Sequence, residues 1–170
     1  MREFDPVALL EVLIDHDVQF IVIGGIAARL RGAPLLTQDI DITPANDAQN
    51  LTQLADALTA LEAKLRTAEA PEGLAFPIEP GFLQSVDSWT LTTIHGDLDL
   101  VFMPDGTTGY KDLVRSADST QIRTSPALFV MVASLADVIR SKQAAGRDKD
   151  RASLPLLRKT LSETDSHQID

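Results

Sequence analysis

Residues 21–43 read Ile-Val-Ile-Gly-Gly-Ile-Ala-Ala-Arg-Leu-Arg-Gly-Ala-Pro-Leu-Leu-Thr-Gln-Asp-Ile-Asp-Ile-Thr, and the rest of the chain is arranged around them. The apolar run from Phe20 to Ile23 reads as a buried strand. Gly24 and Gly25 close it, and Ile26 to Leu30 reads as a short helix that Gly32, Ala33 and Pro34 break. Charged and apolar side chains then alternate through Asp39-Ile40-Asp41-Ile42. On a strand, residues i and i+2 share a face, so Asp39 and Asp41 stand side by side while Ile40 and Ile42 turn to the core. Neighbouring carboxylates repel unless a cation or a proton lies between them. A solvated surface strand gives the same alternation. The glycine pair upstream weighs towards a site, because glycines at a strand-to-helix turn let backbone N–H groups approach an anion such as a phosphate.

Working outward, Asp5-Pro6 has the form of an N-cap followed by proline at the first helical position, and Val7, Leu10, Leu13 and Ile14 continue at helical spacing over 6–16. Leu51, Leu54, Leu58 and Leu61 mark a second helix over 47–63. Residues 67–81 carry Pro71, Gly73, Pro77, Pro80 and Gly81 and read as a loop. Trp89 to Ile94 and Asp97 to Phe102 read as the two strands of a hairpin around His95-Gly96. Gly109 to Arg115 reads as a short helix and Thr120 to Arg123 as a short strand. The apolar run Ala127 to Val132 is compatible with strand or helix. Ser134 and Asp137 have capping-box spacing and open a helix that stops at Gly146. Beyond Asp148 the chain is helical in character, and Pro155 is expected to kink that helix or start another. The expected organisation is a single domain: a sheet core over 1–132, C-terminal helices over 133–162, and a polar, fraying tail over 163–170.

Composition narrows the function. There is no cysteine, which removes disulfides and thiolate metal sites and fits a cytoplasmic protein. With only three histidines besides, the composition argues against a zinc site. His16 reads as a helix-end residue and His95 as a turn residue. No apolar stretch approaches the length of a membrane span, and the N-terminus has no apolar signal core. The net charge of −10 argues against a protein that coats nucleic acid by charge alone. The basic residues are nevertheless concentrated: Arg140, Lys142, Arg147, Lys149, Arg151, Arg158 and Lys159 lie together near the C-terminus, against only Asp148 and Asp150 in the same segment.

A glycine turn, an Asp-x-Asp pair and a further acid in Leu98-Asp99-Leu100 converge on one chemistry. Carboxylates meeting across adjacent strands can hold two Mg²⁺ ions about 3.5–4 Å apart. The G-x-G-x-x-G of a dinucleotide fold is absent. Asp97 shares the face of Asp99 but adjoins the turn, which favours a solvated or capping role.

In that order, Gly24-Gly25, Asp39-Ile40-Asp41 and Leu98-Asp99-Leu100 resemble the core motifs of the polymerase-β-like nucleotidyltransferases. Lys142, followed by Arg147-Asp-Lys149-Asp150, is similar to the pattern of minimal nucleotidyltransferases and of the nucleotidyltransferase-type toxins of bacterial toxin–antitoxin and abortive-infection systems. The resemblance covers roughly residues 5–158, with 67–81 unmatched. It implies an α/β (α+β) fold, a small mixed twisted sheet followed by C-terminal helices. It implies Asp39, Asp41 and Asp99 as ligands of two Mg²⁺ ions (or Mn²⁺) and as catalytic residues. Gly24, Gly25, Thr37, Lys142, Arg147 and Lys149 fall to a nucleoside triphosphate such as ATP, and Lys142 and Asp150 are needed for activity. The implied reaction transfers a nucleoside monophosphate to an acceptor hydroxyl, with the 3′ end of tRNA as acceptor and a cognate antitoxin as partner. A protein or small-molecule acceptor, or a non-catalytic nucleotide-binding module, is the alternative. Thr37 has two readings of its own. If the strand already begins there, its hydroxyl joins the face of Asp39 and Asp41, and a phosphate added to it would switch the site off. Otherwise it is a strand-end threonine.

Overall fold

In a computed structural model, described here for residues 3–168, the apolar run becomes β1 (Phe20–Ile23), preceded by α1 (Pro6–Asp15) and followed at once by α2 (Gly24–Leu30). Asp5 caps α1 as its residue type predicts, its carboxylate accepting from the Ala8 N–H at 3.0 Å. β2 (Asp39–Pro44) carries the alternating acids. Ile40 and Ile42 are fully buried and Asp39 and Asp41 partly exposed, as a two-residue period requires. α3 (Ala48–Ala60) buries Leu51, Leu54 and Leu58, and Leu61 at its end.

Residues 67–79 form the expected loop, and it is tied down at two points. Lys64–Leu65 forms a short edge strand, β3, and a bridge between Leu65 and Leu74 ties the Pro-rich stretch to it. Phe76 stacks on Trp89 with ring centroids 5.5 Å apart, so this segment is packed by its aromatic residues despite its turn-forming composition. A single turn, α4 (Pro80–Leu83), leads into the expected hairpin of β4 (Ser88–Thr93) and β5 (Gly96–Val101). After α5 (Tyr110–Leu113), the uncertain run 127–132 resolves as β7 (Ala127–Val132), antiparallel to β6 (Asp118–Thr124). A partner strand settles what apolar content alone left open.

The sheet is seven-stranded and mixed, in the order β3-β4-β5-β2-β1-β7-β6. β2 lies in its middle, antiparallel to β1 and parallel to β5. α6 (Leu135–Ala145) begins at Ser134, whose hydroxyl accepts from the Asp137 N–H, and ends at Gly146 with φ of 63°. α7 (Asp148–His167) runs as one helix with Pro155 inside it. The tail expected to fray is therefore helical through His167, and its last two residues lie outside the described ones. Leu154 and Leu157 of α7 join the same buried cluster as the strands, which fixes the C-terminal helices beside the sheet. No helix among the described residues is long and apolar enough to cross a membrane.

Candidate active site

The parallel register of β2 and β5 sets Asp39 beside Asp97 and Asp41 beside Asp99. Of these four acids, Asp39, Asp41 and Asp99 converge, with one carboxylate oxygen from each lying within 4.8 Å of the others. Their electrostatics are those of crowded, partly buried acids whose mutual repulsion nearby bases only partly offset. Burial, reinforced by the charges of Asp39 and Asp99 and opposed by Lys142 and Lys149, pushes the Asp41 carboxyl up to about 7. Burial and Asp39 also raise the Asp99 carboxyl, against the Arg66 charge and a hydrogen bond with Thr90. Asp99 Oδ1 is buried with no hydrogen-bond partner. A buried carboxylate oxygen without a donor, facing two other carboxylates, fits a hard divalent cation, for which oxygen-only ligands suffice.

Gly24 has φ of +65°, a conformation side chains rarely adopt, and a Cβ built on it would run into the Asp41 carboxylate, with Cγ at 2.9 Å. The turn is thus closed down onto the acids. A Cβ on Gly25 would stand 3.0 Å from the Cβ of Thr37. Thr37 lies just outside β2, so the strand does not begin there, yet its hydroxyl still reaches the cluster and donates to Asp39 Oδ1 at 2.7 Å. The contact that β-geometry was expected to supply comes from the α2–β2 loop.

These residues line a cleft of about 880 Å³. Its opposite wall is built by the end of α6 and the start of α7 and carries Lys142, Arg147 and Lys149. Asp150 does not line the cleft. Its side chain is fully buried behind the bases, with Lys142 Nζ at 3.4 Å and Arg147 Nε at 2.6 Å. Burial alone would raise the Asp150 carboxyl, but the Arg147 hydrogen bond and the Lys142 and Arg147 charges outweigh it and hold the carboxyl below its ordinary value. Asp97 turns from the cluster to an ion pair with Arg66 Nε at 3.4 Å.

Sequence reading missed Arg66, Trp89, Thr90 and Met103, all of which line the cleft. Arg66 and Thr90 became legible only through strand pairing, since the Arg66 N–H donates to the Thr90 carbonyl at 2.9 Å. Trp89 carried a signal, as the only tryptophan on a strand of alternating residues.

At the centre of the sheet, β2 presents paired aspartates beside a glycine turn, with a third acid on its parallel neighbour β5. Among solved structures, the chain is similar to LnuA, a lincosamide antibiotic adenylyltransferase in its lincomycin-bound form (TM-score 0.59, 14% identity, covering 94% of this chain and 99% of that one). It is also similar to a proposed nucleotidyltransferase from Thermotoga maritima (TM-score 0.54, 18% identity, covering 95% and 97%). At these identities the likeness is one of fold. Neither a protein-family model nor a curated protein matches the sequence.

Proposed function

We propose that the protein is a Mg²⁺-dependent nucleotidyltransferase that moves a nucleoside monophosphate from a nucleoside triphosphate to an acceptor hydroxyl. The observation that carries this is the carboxylate cluster of Asp39, Asp41 and Asp99, set in one cleft against the basic wall of Lys142, Arg147 and Lys149. Asp39, Asp41 and Asp99 would hold the metal, which would supply charge neutralisation at the phosphates. Gly24 and Gly25 let the backbone approach the triphosphate, and Lys142 and Arg147, steadied from behind by Asp150, offset its charge. The acceptor oxygen forms a bond to the α-phosphorus. The bond from that phosphorus to the bridging oxygen breaks, and pyrophosphate leaves with the electron pair. The hydroxyl proton passes to a carboxylate, for which Asp99, on the neighbouring strand, is the candidate.

Two acceptors are carried forward. The motif order ending in Lys142, Arg147, Lys149 and Asp150 supports the 3′ end of tRNA, and with it a toxin held in check by an antitoxin. Phosphorylation of Thr37 would serve as its off-switch, because the added charge would fall against Asp39. A small hydroxylated molecule is favoured by a different observation. Several of the C-terminal bases are not available to an RNA backbone: Arg140 is paired with Asp112 and Asp137, and Lys142 and Arg147, held by Asp150, face the triphosphate in this reading. A track for an RNA backbone needs bases that are free to meet phosphates. The likeness in length and fold to a lincosamide adenylyltransferase lies on the same side.

Incubation with α-labelled triphosphates and Mg²⁺, plus total RNA, a hydroxylated small-molecule panel or protein, tests both. Label on the acceptor and pyrophosphate release, lost in Asp41→Ala, are expected. Triphosphate binding without pyrophosphate release from any mixture would leave a nucleotide-binding module in place of an enzyme.

A further inference from the structure

Four aspartates share one face of the sheet, but only three converge. Asp39 and Asp41 alternate on β2, Asp97 and Asp99 alternate on β5, and the parallel register pairs them two by two. Nothing in the register separates Asp97 from its three companions. What separates it is Arg66. The residue continues the line of β3, and its N–H donates to the Thr90 carbonyl. Thr90 is in turn in register with Asp99, and Asp99 with Asp41. Arg66 therefore stands on the acidic face, at the end of the row that leads to the cluster. It reaches diagonally to Asp97, with Nε at 3.4 Å from Oδ2. That nitrogen is buried and has no hydrogen bond of ordinary geometry, so its tie to Asp97 is one of charge.

We propose that Arg66 is a positioning residue: by holding Asp97 it keeps the fourth carboxylate of the face out of the metal cluster, leaving Asp39, Asp41 and Asp99 as the ligands. The inference rests on the metal reading of that cluster and concerns how many carboxylates reach the ion. A hard cation takes every oxygen ligand within reach and gives up water for it. An extra carboxylate would occupy a position that a phosphate oxygen needs. Arg66 thus preserves open positions on the ion.

The test uses Tb³⁺ as a luminescent probe ion on the full-length protein, without nucleotide. Emission lifetimes in H₂O and D₂O count the waters that remain on the ion. In the wild type, Asp99→Asn should weaken Tb³⁺ binding, and Asp97→Asn should leave the water count unchanged. Arg66→Ala should lose about one water, as Asp97 swings in. Arg66→Ala combined with Asp97→Asn should return to the wild-type count, as should Arg66→Lys, which keeps the cation. A mere loss of positive charge would alter affinity but not the count. An unchanged count in Arg66→Ala overturns the inference while leaving the metal site standing. A water gained by Asp97→Asn alone also overturns it, since Asp97 would then already be a ligand. If Arg66→Ala does not fold, Arg66→Met, which keeps the bulk of the side chain without its charge, takes its place: about one water lost supports the inference and an unchanged count overturns it. Tb³⁺ binding that is indifferent to Asp41→Asn and Asp99→Asn overturns the metal reading, and this inference with it.

Discussion

At the scale of the residue, the site is governed by where charge has been placed without compensation. Metal-free, the folded chain keeps a proton on Asp41 up to about pH 7. The unfolded chain releases it near pH ~4. The native state binds the extra proton between those values, so this residue's contribution to stability falls as pH rises through that window and is lowest above it. Asp41→Asn should therefore melt several degrees above wild type at pH 8 in a chelator, on the order of a few kcal/mol. The gap should narrow towards pH 5, and adding Mg²⁺ at pH 8 should narrow it from the other side. Calorimetry across pH checks this, and an equal gap at pH 5 and pH 8 removes Asp41 as its source. The same variant should lose roughly a thousandfold or more in transfer. Thr37 is the second test. Thr37→Ser keeps the donor to Asp39 and should retain much of the activity. Thr37→Glu sets a carboxylate against Asp39 and should abolish most of it, by repelling the triphosphate and competing for Mg²⁺. Transfer undiminished in Thr37→Glu would leave that hydroxyl without a part in control.

At the scale of the element, the end of α6 and the start of α7 act as one piece because Asp150 joins them. Its buried carboxylate binds Lys142 on one helix and Arg147 at the start of the other. Asp150→Ala leaves both bases without their partner. Arg147 is well exposed and can turn to water, so the expected loss is about 1–3 kcal/mol, less than for a wholly buried pair. Triphosphate affinity should fall about tenfold with the bases no longer aligned, as titration with a non-hydrolysable analogue would show; unchanged affinity would confine Asp150 to a structural part. Lys142→Glu should weaken the same binding further, through lost attraction and added repulsion. How far such elements were legible depended on whether the signal was local. The caps of α1 and α6, the stop at Gly146 and the period-two alternation of β2 are carried by neighbouring residues, and each was readable. β3 is two residues long and exists because β4 is there to pair with it. Arg66, Thr90 and the tie on Asp97 are consequences of pairing and were out of reach. Of the two readings of Pro155, a new helix start is ruled out, since α7 runs through it; packing of Leu154 and Leu157 offsets the hydrogen bond a proline cannot donate.

At the scale of the molecule, charge separates the two acceptor readings. The chain carries a net −10, and three of the bases near its C-terminus already meet carboxylates, Arg140 at Asp112 and Asp137, and Lys142 and Arg147 at Asp150. Binding to tRNA should therefore be weak, with a shallow dependence on salt corresponding to about one or two phosphates. Anisotropy titrations between low and moderate salt check this, and a slope several times steeper would move the acceptor reading to RNA. The position of β2 in the middle of the sheet has a consequence for assembly. Its alternation makes the catalytic face and the core face a single choice, because a slip of one residue would drive Asp39 and Asp41 into the apolar interior and turn Ile40 and Ile42 out to the cleft. The acids to which the proposed chemistry falls thus also proofread the folding of the central strand: a misaligned chain is rejected by the cost of burying two charges, before any ligand arrives.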